Sequence, residues 1–407
     1  MRRKKTLYIV ITILIGIVML LILVSLLRMK QLHISYMEKA DHYHQQAQKE
    51  KEWLITTQLS NGAFAKRPEN NGNALVIPYF SCVTAQALME GDTQGEYNQQ
   101  VKDYLEWQFS HLNDEKGDYN GMAGTIYNYE MVVKDGKVIQ ESATGEYDST
   151  DSYAATFLSA VYGFAKQYGE TEYLRAHEPE LLAVSNAMLA TMHQGLSYTK
   201  PDYKIKNLMD NAEVYAGCHD MSELISMMEL DRVGFNQQKF KELKKNLIQT
   251  QKELRTNMNA LWNEAGQYYE PAVDELGKPA FDFDWKEFYP CAAAQLFPVI
   301  FGVNEPDMKQ SKAVYQQFST TYRWEILEHY HKGDVSFYWS MIAYAGACME
   351  DETRVNSYIE SYQKETGREH KKPLYNADSA WMIRTCEYMS KLYREKQIGI
   401  LQVWIKK

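Results

Sequence analysis

Five short segments of this 407-residue chain place carboxylates directly before aromatic side chains and a helix-like apolar run. They are Asp148-Ser-Thr-Asp151-Ser-Tyr153, Asp210-Asn-Ala-Glu213-Val-Tyr215, Asp282-Phe-Asp284-Trp285-Lys-Glu287-Phe-Tyr289, Asp334-Val-Ser-Phe337-Tyr338-Trp339 and Asp378-Ser-Ala-Trp381. Carboxylates in pairs do acid and base work on a glycosidic bond, and flat rings stack on sugar faces. The pattern suits a cleft that processes carbohydrate.

Asp148 and Asp151 are three apart, a spacing that puts both on one helix face. Helix capping accounts for one of them, as an N-cap or a first-turn acid, but does not call for the flanking Tyr147 and Tyr153. Asp210 and Glu213 have capping-box spacing and are equally suited to a site. Around Trp285, three acids crowd among Phe281, Phe283, Phe288 and Tyr289, where like charges raise one pKa and keep an acid protonated at neutral pH. Asp151, Asp148, Glu213 and Asp284 are therefore the expected catalytic carboxylates. Tyr79, Tyr153, Tyr215, Asp282, Trp285, Tyr289, Asp334, Trp339, Asp378 and Trp381 are the expected substrate contacts. His329 and His331 have no evident third ligand and read as solvated helix-end histidines, so no metal or cofactor is expected.

The elements that must hold these residues are helices. Apolar periodicity predicts about twelve, near 37–59, 78–90, 95–112, 149–168, 171–193, 211–229, 236–262, 286–300, 306–322, 334–349, 351–366 and 376–396. Each acidic motif opens an even-numbered run, and Ile77-Pro78-Tyr79-Phe80 holds the same place in the first pair. Odd runs are followed by glycine turns: Gln58-Leu-Ser-Asn61-Gly62-Ala-Phe64, Glu115-Lys-Gly117-Asp-Tyr119 and Glu264-Ala-Gly266-Gln-Tyr268. A glycine there can take positive φ to end a helix. Between about Asn113 and Tyr147 an irregular insertion carries Asp135-Gly136 between alternating apolar residues, which predicts a β-hairpin. Six antiparallel hairpins of one asymmetry can close into a ring with the even helices inside, so that every acidic motif meets at one end. The expected fold is all-α, an (α/α)6 toroid with a small β-hairpin insertion.

This arrangement resembles the six-hairpin glycosidases and looks nearest to glycoside hydrolase family 8, which includes exopolysaccharide-associated hydrolases. Tyr147-Asp148-Ser149-Thr150-Asp151-Ser152-Tyr153-Ala154-Ala155 is similar to that family's Asp-x-Asp element and the small-residue helix after it. The resemblance implies a general-acid Glu just before the first inner helix. Here that segment reads Asn73-Ala-Leu-Val-Ile77-Pro78-Tyr79, and the nearest acid is Glu69, which joins the candidate catalytic residues on this ground. The resemblance implies a glycoside hydrolase acting on a polysaccharide, with a polysaccharide synthase as its neighbour. The missing acid supports an alternative, a non-catalytic glycan-binding or polysaccharide-assembly subunit. The Gln58–Phe64 turn also resembles a repeat of terpene cyclases, but those need a compact aspartate-rich motif and the acids here are dispersed.

Arg2-Arg3-Lys4-Lys5 precedes a run from Thr6 to Leu27 that carries no charge, and Arg28 and Lys30 follow it. Such a run spans a bilayer core, and the heavier positive charge before it puts residues from about 31 onward outside the cytoplasm. The expected organisation is a cytoplasmic basic tail (1–5), a transmembrane anchor (6–27), a juxtamembrane helix (28–50) and a glycosidase-like domain (51–407) on the outside of the cell membrane. The formal charge is −9, and removing the six Lys and Arg of the first thirty residues leaves −15. Such a surface repels nucleic acid. Five widely spaced cysteines in apolar runs read as buried free thiols.

Overall fold

The computed structural model describes residues 2–230, 237–367 and 375–399. The expected start of the seventh run at residue 236, and the last eight residues of the chain, lie outside them. Two compact units form, Gln48–Thr385 and a smaller one made of Met1–Ala47 and Cys386–Lys407.

The larger unit is all-α with small sheets and is the expected six-hairpin toroid. Its helices in chain order are the end of α1 (Arg2–Leu54), α2 (Pro78–Met89), α3 (Asn98–Ser110), α4 (Asp151–Tyr168), α5 (Glu178–Ala190), α6 (Leu208–Leu230), α7 (Gln237–Ala260), α8 (Phe297–Ile300), α9 (Lys309–Thr321), α10 (Met341–Cys348), α11 (Glu352–Thr366) and the start of α12 (Asn376–Glu395). Even helices form the inner ring, and α2, α4 and α10 are apolar on nearly every side. On α4, Ala154, Ala155, Phe157, Leu158, Ala160, Val161 and Phe164 are all buried. Small residues set how closely inner helices approach. A Cβ on Gly217 of α6 would stand 2.7 Å from Ala155 Cα of α4, so only glycine allows this spacing.

Three expected helices are interrupted. Proline explains two of them, because it lacks an N–H and its ring collides with the preceding turn. Run 286–300 splits at Pro290 into one wide turn, Phe288–Ala292, and α8. Run 171–193 becomes Thr171–Arg175 and α5, with Pro179 in the first turn of α5. Run 334–349 starts late, because residues 334–340 form a loop in which Trp339 has φ of 54°.

The hairpin β2 (Tyr129–Lys134) and β3 (Lys137–Ala143) turns at Asp135 and Gly136, both at positive φ, as the sequence predicts. The sequence did not announce the third strand, β1 (Gly72–Val76), which pairs antiparallel with β2. Of the three glycine turns only Gly62 has positive φ, at 94°. At the third turn Gln267 takes the positive φ, and Gly266 is needed because a Cβ would strike the Tyr268 ring.

In the smaller unit the first helix is long and apolar enough to cross a membrane, with mean hydropathy 3.3 over its most apolar stretch. Further along it, His44 Nδ1 lies 2.9 Å from Glu387, Asp41 pairs with Arg394 at 2.8 Å, and Tyr43 stacks on Tyr393. All five cysteines are buried thiols outside any disulfide.

Candidate active site

The N-terminal ends of all six inner helices open on one cavity of about 620 Å³. Tyr79 and Phe80 come from α2, Ser152 and Tyr153 from α4, and Met209, Asp210 and Glu213 from α6. Tyr289 and Phe297 come from the α8 segment, Ser340 and Met341 from the α10 entry, and Ala377, Asp378 and Trp381 from α12. Asp148, Asp334, Phe337 and Trp339 line it from loops, and Asn128 from the residue just before β2.

Glu213 is the most perturbed carboxyl facing this space. It is 4 % exposed, and burial pushes its pKa well up, with the neighbouring Asp210 charge adding to the rise. Tyr79 counteracts by donating its hydroxyl to Glu213 Oε1. Asp210 stands one turn earlier on the same helix face. Its Oδ2 accepts from Thr199 Oγ1 at 3.0 Å and Asn207 Nδ2 at 2.9 Å, and burial raises its pKa to about 6 against those bonds. The expected capping box does not form, because α6 begins two residues before Asp210.

On α12, in the third hairpin on from α6, Asp378 is buried and its pKa is raised by burial to about 6. Its carboxylate accepts the backbone N–H of Tyr338 and of Ser340, both at 3.1 Å, which fixes the 334–340 loop. Below that loop His329 is fully buried, not solvated as its sequence context suggested. Its Nε2 donates to the Tyr338 carbonyl at 2.9 Å and its ring stacks on Phe288. Burial lowers its pKa to about 4, so it is neutral under ordinary conditions. The loop presents Trp339, stacked on Phe337 at 5.1 Å, with its Nε1 buried and unpartnered among the described residues. A buried donor without an acceptor is costly unless something binds it.

Five of the expected residues lie elsewhere, and so does Asp151. Asp151 is fully buried, its Oδ2 accepting from Ser197 Oγ at 2.6 Å and its Oδ1 from Ser152 N at 2.7 Å. It ties α4 to the 196–207 loop behind the cavity wall, while Asp148, ahead of the helix, is the one at the surface of the cavity. Glu69 accepts from Asn70 N and Asn71 N in the turn before β1. Asp282, Asp284 and Trp285 sit in a segment whose rings pack on one another: Phe283 stacks on Tyr268 at 3.9 Å and meets Trp285 edge-on. Asp284 accepts from Lys286 N. Tyr215 is two residues past Glu213, about 200° around the helix, and so faces away. Asn128 went unnoticed in the sequence, while Asp210 and Phe337 stood in its acidic motifs without being named among the site residues. Asp210 was legible in principle from its i, i+3 relation to Glu213.

No protein-family model matches the chain, and no curated protein sequence does. Among solved structures, the chain is similar to a glycosidase, a Glu-to-Ala variant in complex with glucose, at TM-score 0.55 and 12% identity, covering 87% of this chain and 97% of the other. It is also similar to a GH63 mannosylglycerate hydrolase from Thermus thermophilus in complex with glucose, at TM-score 0.52 and 10% identity, covering 83% and 98%. At these identities the likeness establishes the fold, the six-hairpin toroid shared with glycosidases.

Proposed function

We propose that the protein is a glycoside hydrolase that cleaves a polysaccharide by carboxylate acid/base catalysis, anchored by its first helix with the toroid outside the cell. One observation carries this reading: a buried Glu213, its pKa pushed up by burial, and a second buried carboxyl, Asp378, on opposite inner helices of one ring-lined cavity. Glu213 is the general acid. Its proton passes to the glycosidic oxygen as the bond from that oxygen to the anomeric carbon breaks. Asp378, with its pKa raised to about 6 and so ionised at neutral pH, takes a proton from water as the water oxygen bonds to the anomeric carbon. Helices three hairpins apart in a six-membered ring face one another, which leaves room for that water and favours inversion.

Asp148 and Asp210 accept sugar hydroxyls, Trp339 Nε1 donates to one, and Tyr79, Tyr153, Tyr289 and Trp381 offer ring faces. Solved neighbours of the same fold are glycosidases bound to glucose, which supports the class of ligand. Residues 6–27 as the anchor and the basic residues before them support the outward orientation. A role in exopolysaccharide production beside a synthase is part of the same reading.

The test is reducing-end release by the full-length chain from a panel of exopolysaccharides, β-glucans and mannans, beside Glu213→Gln and Asp378→Asn. Release that both variants lose by about 10³-fold or more supports the assignment. Binding without release by the wild type favours the non-catalytic glycan-binding subunit. Release undiminished in both variants removes these two carboxyls from the chemistry.

A further inference from the structure

Exposed aromatic rings stand on the loops that adjoin the cavity lining. Tyr289 lines the cavity and is 52 % exposed, while Tyr203 at 52 % and Tyr119 at 46 % lie beyond it on two separate loops. Single exposed rings are ordinary on protein surfaces. The Tyr119 ring is unusual in how firmly it is held, and both tyrosines stand on loops that connect directly to the site.

Tyr119 is backed by rings. Tyr147 stacks against it at 4.9 Å and Tyr127 lies nearly parallel at 6.1 Å, its hydroxyl accepting from Tyr119 N at 2.8 Å. Tyr147 is the residue next to Asp148, which lines the cavity. Tyr203 sits in a tight turn closed by its own N–H to the Lys200 carbonyl at 3.0 Å. Asn120 Nδ2 then joins the two loops, donating to Tyr147 Oη at 3.1 Å and to Asp202 Oδ1 at 3.2 Å. One residue before Lys200, Thr199 holds Asp210 in the cavity. Tyr203 also lies close enough to Tyr289 to act on its hydroxyl electrostatically. The loops that carry Tyr119 and Tyr203 are therefore braced as one piece with Asp148 and Asp210, and the Tyr119 ring, already stacked in place, loses little freedom when a ligand stacks on it.

We propose that Tyr119 and Tyr203 form an outer platform on which a glycan chain lies after it leaves the cavity past Tyr289. The ligand is then a polymer or long oligosaccharide of pyranose rings, not a mono- or disaccharide. The proposal deepens the glycosidase reading and rests on it for the cavity, but the platform binds whether or not the cavity cleaves.

The experiment uses the full-length chain in detergent micelles, run through native gels containing mixed-linkage β-glucan, hydroxyethylcellulose or yeast mannan. Wild type, Tyr119→Ala, Tyr203→Ala, Tyr203→Trp and Glu213→Gln are compared. The expected result is retardation of the wild type by at least one polymer, weakened about fivefold to tenfold by each alanine. Tyr203→Trp retains it, and glucose does not compete. Retardation by none of the three polymers, or equal retardation of wild type and both alanine variants, overturns the platform. Glu213→Gln separates the two readings. A variant that is retarded like wild type yet releases no reducing ends supports both. One that still releases them sinks the assignment of the acid and leaves the platform standing.

Discussion

The Tyr79 hydroxyl of α2 donates to Glu213 Oε1 of α6, joining two inner helices across the mouth of α4. This bond and the charge of Asp210 act on the same carboxyl in opposite senses. A hydrogen bond to the ionised form lowers a pKa, and a nearby like charge raises it. The proton on Glu213 is therefore adjustable from two sides, and the two adjustments make separable predictions.

Tyr79→Phe removes the donor and leaves the ring. Ionised Glu213 loses its partner, its pKa rises, and the group stays protonated to higher pH. In the proposed mechanism the alkaline limb of the kcat/KM profile moves upward. A profile unchanged by Tyr79→Phe would mean that Glu213 is not the acid whose titration sets that limb.

Asp210→Asn removes the like charge, so the alkaline limb moves to lower pH. A stability signature accompanies it. The folded pKa of Asp210 is about 6, above the ordinary value of 3.8, so the native state holds this proton more tightly than the unfolded chain. That contribution is complete below about pH 4 and is lost as pH rises through about 6. Asparagine does not titrate. The stability of Asp210→Asn relative to wild type, read from thermal melts, therefore climbs between about pH 4 and 6 and then levels, with a span on the order of 3 kcal/mol. A difference that is flat with pH would remove the buried-carboxyl account of Asp210.

The ring, the pairing of helices and the meeting of four of the five acidic motifs at one cavity were legible because they depend only on periodicity and chain order. Which acid of each motif faces inward depends on where a helix starts. Asp148 and Asp151 share a face only if both are helical, but α4 begins at Asp151, so one lines the cavity and the other is sealed behind it. Trp285 and Asp284 looked like a site because rings and acids crowd there. Pro290 breaks the run, and those rings satisfy one another. β1 was illegible because its partner β2 lies more than fifty residues on, and five residues of Gly-Asn-Ala-Leu-Val have no strong strand signal of their own.

Asp378 has a second task that can be read without substrate. Its carboxylate accepts two backbone N–H groups of the loop that presents Trp339. Asp378→Ala leaves both donors buried without an acceptor, at a cost of about 1–3 kcal/mol. Because Trp339 is held by this loop, its fluorescence emission should shift to the red as the ring gains water. A variant as stable as wild type, with unchanged emission, would show that the loop does not depend on these bonds.

The turn after α1, packed on α3, tests packing far from the chemistry. Gln58 Nε2 donates to the Gly62 carbonyl at 3.0 Å and to the Gln100 carbonyl at 2.7 Å, drawing the turn onto α3. Gly62 has φ of 94°, and a Cβ there would stand 2.5 Å from the Asp103 carbonyl oxygen. Strain and collision act together, and the obstacle is helix backbone that cannot swing aside. Gly62→Ala should cost about 3 kcal/mol or more. Gly169, which ends α4 at φ of 72° with nothing within 4 Å, supplies the control. Gly169→Ala meets only the conformational penalty, about 1 kcal/mol. Thermal melts of the two variants should differ by several degrees, with Gly62→Ala the lower. Equal melting temperatures would mean that α3 yields at Asp103, and that the turn does not fix the first hairpin against the second.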